Sequence, residues 1–176
     1  ISKEKELRNL MVIRGKTWRK GFDIFENVIK KLEEIRPNYF KYLIVDPTDA
    51  KISLSNGNWE VYKPEDDKEL ALCYQEADIY LFTSRLEGFG LPPLEAMACG
   101  TLVISNFTKG CKEYMIDKSN ALICKKFEAN EFVENIFKLI NDKELSDKLI
   151  SEGLKTARKR DLNTFCSEFF DFIYSN

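Results

Sequence analysis

The sequence predicts an α/β, Rossmann-like domain: a doubly wound parallel sheet of about six strands, helices on both faces, and a C-terminal helical extension. Three observations predict it. Short apolar runs alternate with longer segments of helical periodicity, the pattern of βα units. The 176 residues, 44% hydrophobic and 32% charged, suit one core of ordinary globular composition, a single domain over 1–176. After Cys124 the apolar pattern turns wholly helical.

Residues 10–13 read as the first buried strand. From Phe22, the residues Phe25, Ile29 and Leu32 recur at three- and four-residue spacing. Val28 and Ile35 widen that stripe, Lys30, Lys31 and Glu33 face outward, and Pro37 closes the helix. Residues 42–45 make the second strand, stopped by Asp46-Pro47. The polar stretch 48–58 is a loop holding a candidate short strand at 52–54, and a weaker strand follows at 59–62. Asp66 and Asp67 are candidate caps for a helix to Glu76, with Glu69 placed for its dipole. Residues 79–82 form a central strand, followed by a Gly- and Pro-rich segment and a helix ending at Gly100. Strands at 102–104 and 122–124 complete the sheet. Phe132, Ile136, Leu139 and Ile140 share one helical face, Asn141-Asp142 breaks it, and a second helix runs over 143–160. A last helix, about 164–174, carries Phe165, Phe169, Phe172 and Ile173 on one face and Phe170 and Tyr174 on another. Such a segment wants two neighbours.

Composition excludes several functions. A net charge of −2 gives no basic field for nucleic acid, although local Lys and Arg clusters can meet a small phosphorylated ligand. Five cysteines, at 73, 99, 111, 124 and 166, form no C-x-x-C pair, and the chain has no histidine. A zinc site is therefore not expected, and neither is a Ser-His or Cys-His catalytic pair. Scattered thiols fit buried free cysteines in a reducing cytosol. No apolar run approaches the roughly 20 residues that span a bilayer. The charged start, Ile1-Ser-Lys-Glu-Lys-Glu6, lacks a signal peptide's apolar region and has no initiating Met, so the chain reads as a piece of a longer one.

The stretch Thr83-Ser-Arg-Leu-Glu-Gly-Phe-Gly90 follows a predicted parallel strand, where doubly wound sheets bind ligands. Gly88 and Gly90 permit positive φ and a close approach of backbone to ligand. Pro92 and Pro93 suit a first helical turn, which aims the N–H groups of Gly90 and Leu91 outward at the positive end of a dipole. That end attracts phosphate. Glu87 and Glu95 would repel a bare anion but accept hydrogen bonds from vicinal hydroxyls. Phosphate and sugar together suggest a nucleotide sugar. On the residues alone a second reading stands beside it, in which Glu95 only steadies the helix and the glycines only turn the chain.

The run Glu87-Gly-Phe-Gly-Leu-Pro-Pro-Leu-Glu95-Ala-Met-Ala-Cys-Gly100 resembles the signature of family 4 retaining glycosyltransferases, two Glu separated by seven residues. The resemblance covers the chain from about residue 10 to its end and implies half of a GT-B architecture, the donor-binding half. It implies that Glu87 contacts hydroxyls of the transferred sugar and Glu95 the ribose. The backbone of Gly88, Phe89, Gly90 and Leu91 then lies against sugar and diphosphate. Upstream, Arg14 and Lys20 match the family's diphosphate-neutralising cations, with Lys16 and Arg19 as rivals in the same segment. Residues 108–113, ending in Glu113, resemble its Gly-rich loop. Residues 117–120, ending in Asn120, resemble an Asp-Gly-x-Asn-Gly turn without its glycines. Asp46-Pro47 stands where the family often has Gly-x-Gly, so the base and ribose wall differs; Trp59 and Tyr74 are candidate base neighbours.

The function implied is retaining transfer of a hexose-type sugar from a nucleoside diphosphate such as a UDP-sugar, without a metal cofactor, toward polysaccharide or glycoconjugate. Its partners are the donor, an N-terminal domain outside this chain and an acceptor glycan or glycolipid, with membrane association only through the parent protein. Location follows: the cytoplasm, or the inner membrane face where the acceptor is lipid-linked. The alternative is a binding module that holds sugar nucleotides without turnover. A non-hydrolysing epimerase would need acid and base residues that the sequence does not supply.

Overall fold

The computed structural model describes residues 6–48, 52, 54 and 57–160. Six strands, β1 (Asn9–Ile13), β2 (Lys41–Val45), β3 (Asn58–Tyr62), β4 (Ile79–Phe82), β5 (Leu102–Asn106) and β6 (Leu122–Cys124), form one sheet. All are parallel, in the order β3-β2-β1-β4-β5-β6. The chain winds outward one way from β1 and the other way from β4. Their junction is the switch point where such sheets open a crevice beyond their carboxyl ends.

Strand side chains alternate between two cores, as the two-residue period requires. Leu10, Val12, Tyr42, Ile44, Ile79, Leu81, Leu102, Ile104, Leu122 and Cys124 face one layer. Met11, Leu43, Val45, Tyr80, Phe82 and Val103 face the other. Helices α1 (Phe22–Ile35) and α4 (Ala129–Asn141) cover the first face; α2 (Asp67–Glu76) and α3 (Leu91–Ala98) cover the second. The fifth helix, α5 (Lys143–Arg158), crosses from one layer to the other: Leu149 is buried in the first core and Ala157 packs against the second.

The helix starts follow from local chemistry. Asp66, not Asp67, caps α2, its carboxylate accepting from Glu69 N at 2.8 Å while Glu69 accepts from Glu65 N. Asp142, which ends α4, caps α5 through Leu145 N at 2.9 Å.

Two positions on α1 differ from expectation. Glu33, expected to face outward, is buried, with one oxygen accepting from the Tyr42 hydroxyl at 2.7 Å and the other from Asn38 N at 2.8 Å. The hydrogen bonds offset its desolvation, and burial, together with the hydrogen bond to Glu33, pushes the Tyr42 phenol up. Ile35, expected in the apolar stripe, is exposed because α1 ends there. Ile52 and Leu54 form no strand but pack partly buried on the first core; residue 53 and the expected last helix lie outside the described residues.

Candidate functional site

The crevice is built by the loops that leave β1 and β4, and the two are locked together. Gly21, at φ 66°, ends a short 3-10 turn, Trp18–Lys20, and begins α1. A side chain there would overlap the Thr83 carbonyl, so the β1 loop rests directly on the end of β4. The Thr83 hydroxyl donates to Lys20 O at 2.9 Å, and Asn106 Nδ2 donates to Thr83 O at 2.6 Å. Arg85 clamps the same junction. It pairs bidentately with Asp23, both contacts 2.7 Å, and donates to Trp18 O at 2.8 Å. Its hydrogen bonds hold the Asp23 carboxyl below the usual range.

This lock sets Lys20 beside Glu87: Nζ to Oε1 is 2.6 Å, both side chains partly buried. Arg14, directly after β1, pairs instead with Asp46, directly after β2, at 2.8 Å. The rivals Lys16 and Arg19 are exposed.

After Glu87 the chain runs through Gly88, Phe89 and Gly90 into α3. Gly90 caps the helix at φ 82°, with Pro92 and Pro93 in the first turn. Its Cα faces Cys111 so closely that only glycine fits, and the Tyr114 hydroxyl donates to Gly90 O. Gly110 meets the Gly88 carbonyl in the same way, so the segment after β5 cradles the loop from behind. Gly88 does not use a left-handed backbone; the open side of its Cα is what glycine leaves clear. Phe89 leans on Tyr114, ring centroids 5.4 Å apart, and Leu91 is exposed.

Glu95, one turn into α3, accepts from the Tyr74 hydroxyl of α2 at 2.9 Å, beside a groove of about 310 Å³ lined by Leu70, Ala71 and Cys99. Burial, with Tyr80 and Glu95 nearby, pushes the Tyr74 phenol up, so it stays a donor. Tyr74 is buried in the second core and also lines this groove, whereas Trp59 packs partly buried against the first core. Asn120 spends its amide within the fold: Nδ2 donates to Tyr114 O and Thr156 Oγ1, and Oδ1 accepts from Ile116 N. Glu113 is exposed and lies 3.9 Å from Arg160.

Sequence reasoning missed the pairing of Asp46 with Arg14, the Arg85 clamp and the support of Glu95 by Tyr74. Asp46 carried a signal, a charged residue at a strand end where a small one is the pattern. Arg85 carried none, because its partner lies 62 positions away.

The model of the family described as Glycosyl transferases group 1 matches residues 2–156. The chain belongs to that family. Among relatives, a glycosyltransferase from Methanocaldococcus jannaschii, MJ1178, is 30% identical over 144 residues, 80% of this chain and 40% of that protein. The capsular polysaccharide biosynthesis glycosyltransferase CapM of Staphylococcus aureus is 27% identical over 168 residues, 96% of this chain and 41% of CapM. The chain thus spans about two-fifths of the length of these curated relatives. Among solved structures, Anabaena HepE in complex with UDP-glucose superposes with TM-score 0.77 at 18% identity, over 96% of this chain and 49% of HepE. The C-terminal domain of a glycosyl transferase group 1 protein from Francisella tularensis superposes with TM-score 0.72 at 21% identity, covering 87% of this chain and 85% of that one. At those identities the likeness speaks to fold. It is the Rossmann-like half of the GT-B architecture. No described helix is long and apolar enough to cross a membrane.

Proposed function

We propose that this domain holds a nucleoside diphosphate sugar at the β1/β4 switch point for retaining transfer of a hexose to an acceptor bound by a domain outside the chain. The observation that carries the reading is the 2.6 Å contact between Lys20 and Glu87. It sets a cation suited to phosphate and a carboxylate suited to sugar hydroxyls side by side at the mouth of the sheet, next to the amino end of α3. Arg14 and Lys20 neutralise the diphosphate, and the α3 dipole adds to them. As the glycosyl bond breaks, charge grows on the departing phosphate and these interactions strengthen, which lowers the barrier without a metal.

Glu87 orients the sugar through its hydroxyls, Glu95 holds the ribose, and the Gly88 to Leu91 backbone lies along the sugar and diphosphate. Retention follows from delivery of the acceptor on the face the leaving group departs, with Glu87 as an orienting group. A related enzyme of Campylobacter jejuni is named for an undecaprenol-linked diphospho-sugar and CapM for capsular polysaccharide, which supports an acceptor among glycans or lipid-linked sugars.

Calorimetric titration with UDP, GDP and their sugars tests the reading. Binding should weaken at least ten-fold in Lys20→Ala and in Glu95→Ala; if neither variant changes affinity, the site is misassigned. The full-length protein, tested for glycosyl transfer to lipid-linked and polysaccharide acceptors, separates an enzyme from a module that only binds.

A further inference from the structure

We propose that Asp46 is a positioning residue for the donor diphosphate, acting through Arg14; the proposal rests on Arg14 being a diphosphate ligand. Asp46 is 1% exposed, and both its oxygens are engaged. Oδ2 accepts from Arg14 Nη1 at 2.8 Å, and Oδ1 accepts from Thr48 N at 2.8 Å and from Thr48 Oγ1 at 2.6 Å. The backbone of each residue is anchored to a neighbouring strand end. Arg14 N donates to Val45 O at 2.8 Å, and Asp46 N donates to Tyr62 O at 3.0 Å.

A third contact fixes the plane of the guanidinium. Its carbon lies 5.0 Å from the centroid of the Phe22 ring on the first turn of α1. Asp46 thus holds the fork by its edge while Phe22 lies against its face. A long arginine side chain loses much rotamer freedom on gripping a phosphate, and a fork already fixed loses less at that moment. Burial keeps the carboxylate behind the cation instead of beside an incoming anion, and the Thr48 turn supplies the hydrogen bonds that its desolvation requires.

The consequence differs from that of a merely structural ion pair. Removing Asp46 should harm diphosphate binding only while Arg14 is present. The experiment is a double-mutant cycle on this chain, titrated calorimetrically with UDP, or with GDP if wild type prefers it. Asp46→Ala should weaken binding about ten-fold in the wild-type background and cause no further loss in the Arg14→Ala background. Equal losses in both backgrounds, or no loss in either, overturn the proposal. Thr48→Val keeps the ion pair and the backbone hydrogen bond from position 48 but removes the Oγ1 donor to Oδ1, and should give an Arg14-dependent loss of about three-fold; it serves as the probe if Asp46→Ala does not fold, and the absence of any loss then overturns the proposal. If Arg14→Ala itself leaves the affinity unchanged while Lys20→Ala lowers it, the assignment of Arg14 fails and this proposal with it, but the donor site stands.

Discussion

Gly21 lies against the Thr83 carbonyl with no room for a side chain between them, at a backbone φ of 66°. Both constraints act at one position. Left-handed backbone costs an L-residue about 1 kcal/mol or more, and a methyl group would have to push the end of β4 away. Gly21→Ala is expected to lower unfolding stability by about 3 kcal/mol in urea melts. It should also weaken nucleotide binding in the fraction that stays folded, because Lys20 precedes Gly21 and reaches Glu87 from this turn.

Tyr74→Phe removes one hydroxyl and keeps the ring in the core. The hydroxyl meets a partly buried carboxylate, so stability should fall by about 1 kcal/mol. Glu95 would lose the donor that fixes its rotamer. We expect a roughly five-fold loss in UDP affinity, read by calorimetry, with near-native melting. A larger loss of stability with unchanged affinity would make Tyr74 a core residue only.

Asp46 makes stability depend on pH. Burial alone would raise its pKa, but hydrogen bonds from Thr48 and Arg14 outweigh burial and hold the carboxyl below its ordinary value. A group whose folded pKa lies below its unfolded one stabilises the fold above the unfolded value, about 3.9, and loses that contribution as pH falls through the folded value. Asp46→Asn should cost about 2 kcal/mol at neutral pH. The gap between wild type and variant should shrink as urea melts are taken from pH 5 down to pH 3. A gap that is constant over that window contradicts the ionic role.

The sheet was legible because its signals are local. A run such as residues 79–82 is apolar on both sides, and the amphipathic stripe of α4 repeats every three or four residues. Each of these patterns is set by geometry within one element. The Glu87 to Glu95 segment was legible for a related reason: the constraints on glycine and proline at a helix start sit in consecutive positions. Glu33 was not, since a charge on a helix reads as solvent-facing until Tyr42, on a neighbouring strand, is known to aim at it. The pairings of Arg14 with Asp46 and of Arg85 with Asp23 cross 32 and 62 positions. Only the order of strands in the sheet brings them together.

Glu87→Gln separates the roles of the two partners at the mouth of the sheet. The Lys20 ammonium meets the Glu87 carboxylate at 2.6 Å, so a phosphate bound at Lys20 as proposed would compete with Glu87. An amide of the same shape competes less. UDP, which has no sugar, should therefore bind the variant at least as well as wild type, with a gain of up to about three-fold. In the proposed site a UDP-sugar adds hydroxyl contacts to the carboxylate, so its advantage over UDP should shrink in the variant. If Glu87 orients the sugar as proposed, transfer by the full-length protein should fall by at least a hundred-fold. The decisive measurement is the ratio of UDP-sugar to UDP affinity in the same calorimetric series. If that ratio is unchanged by Glu87→Gln, the carboxylate does not touch the sugar, and its pairing with Lys20 serves the fold alone.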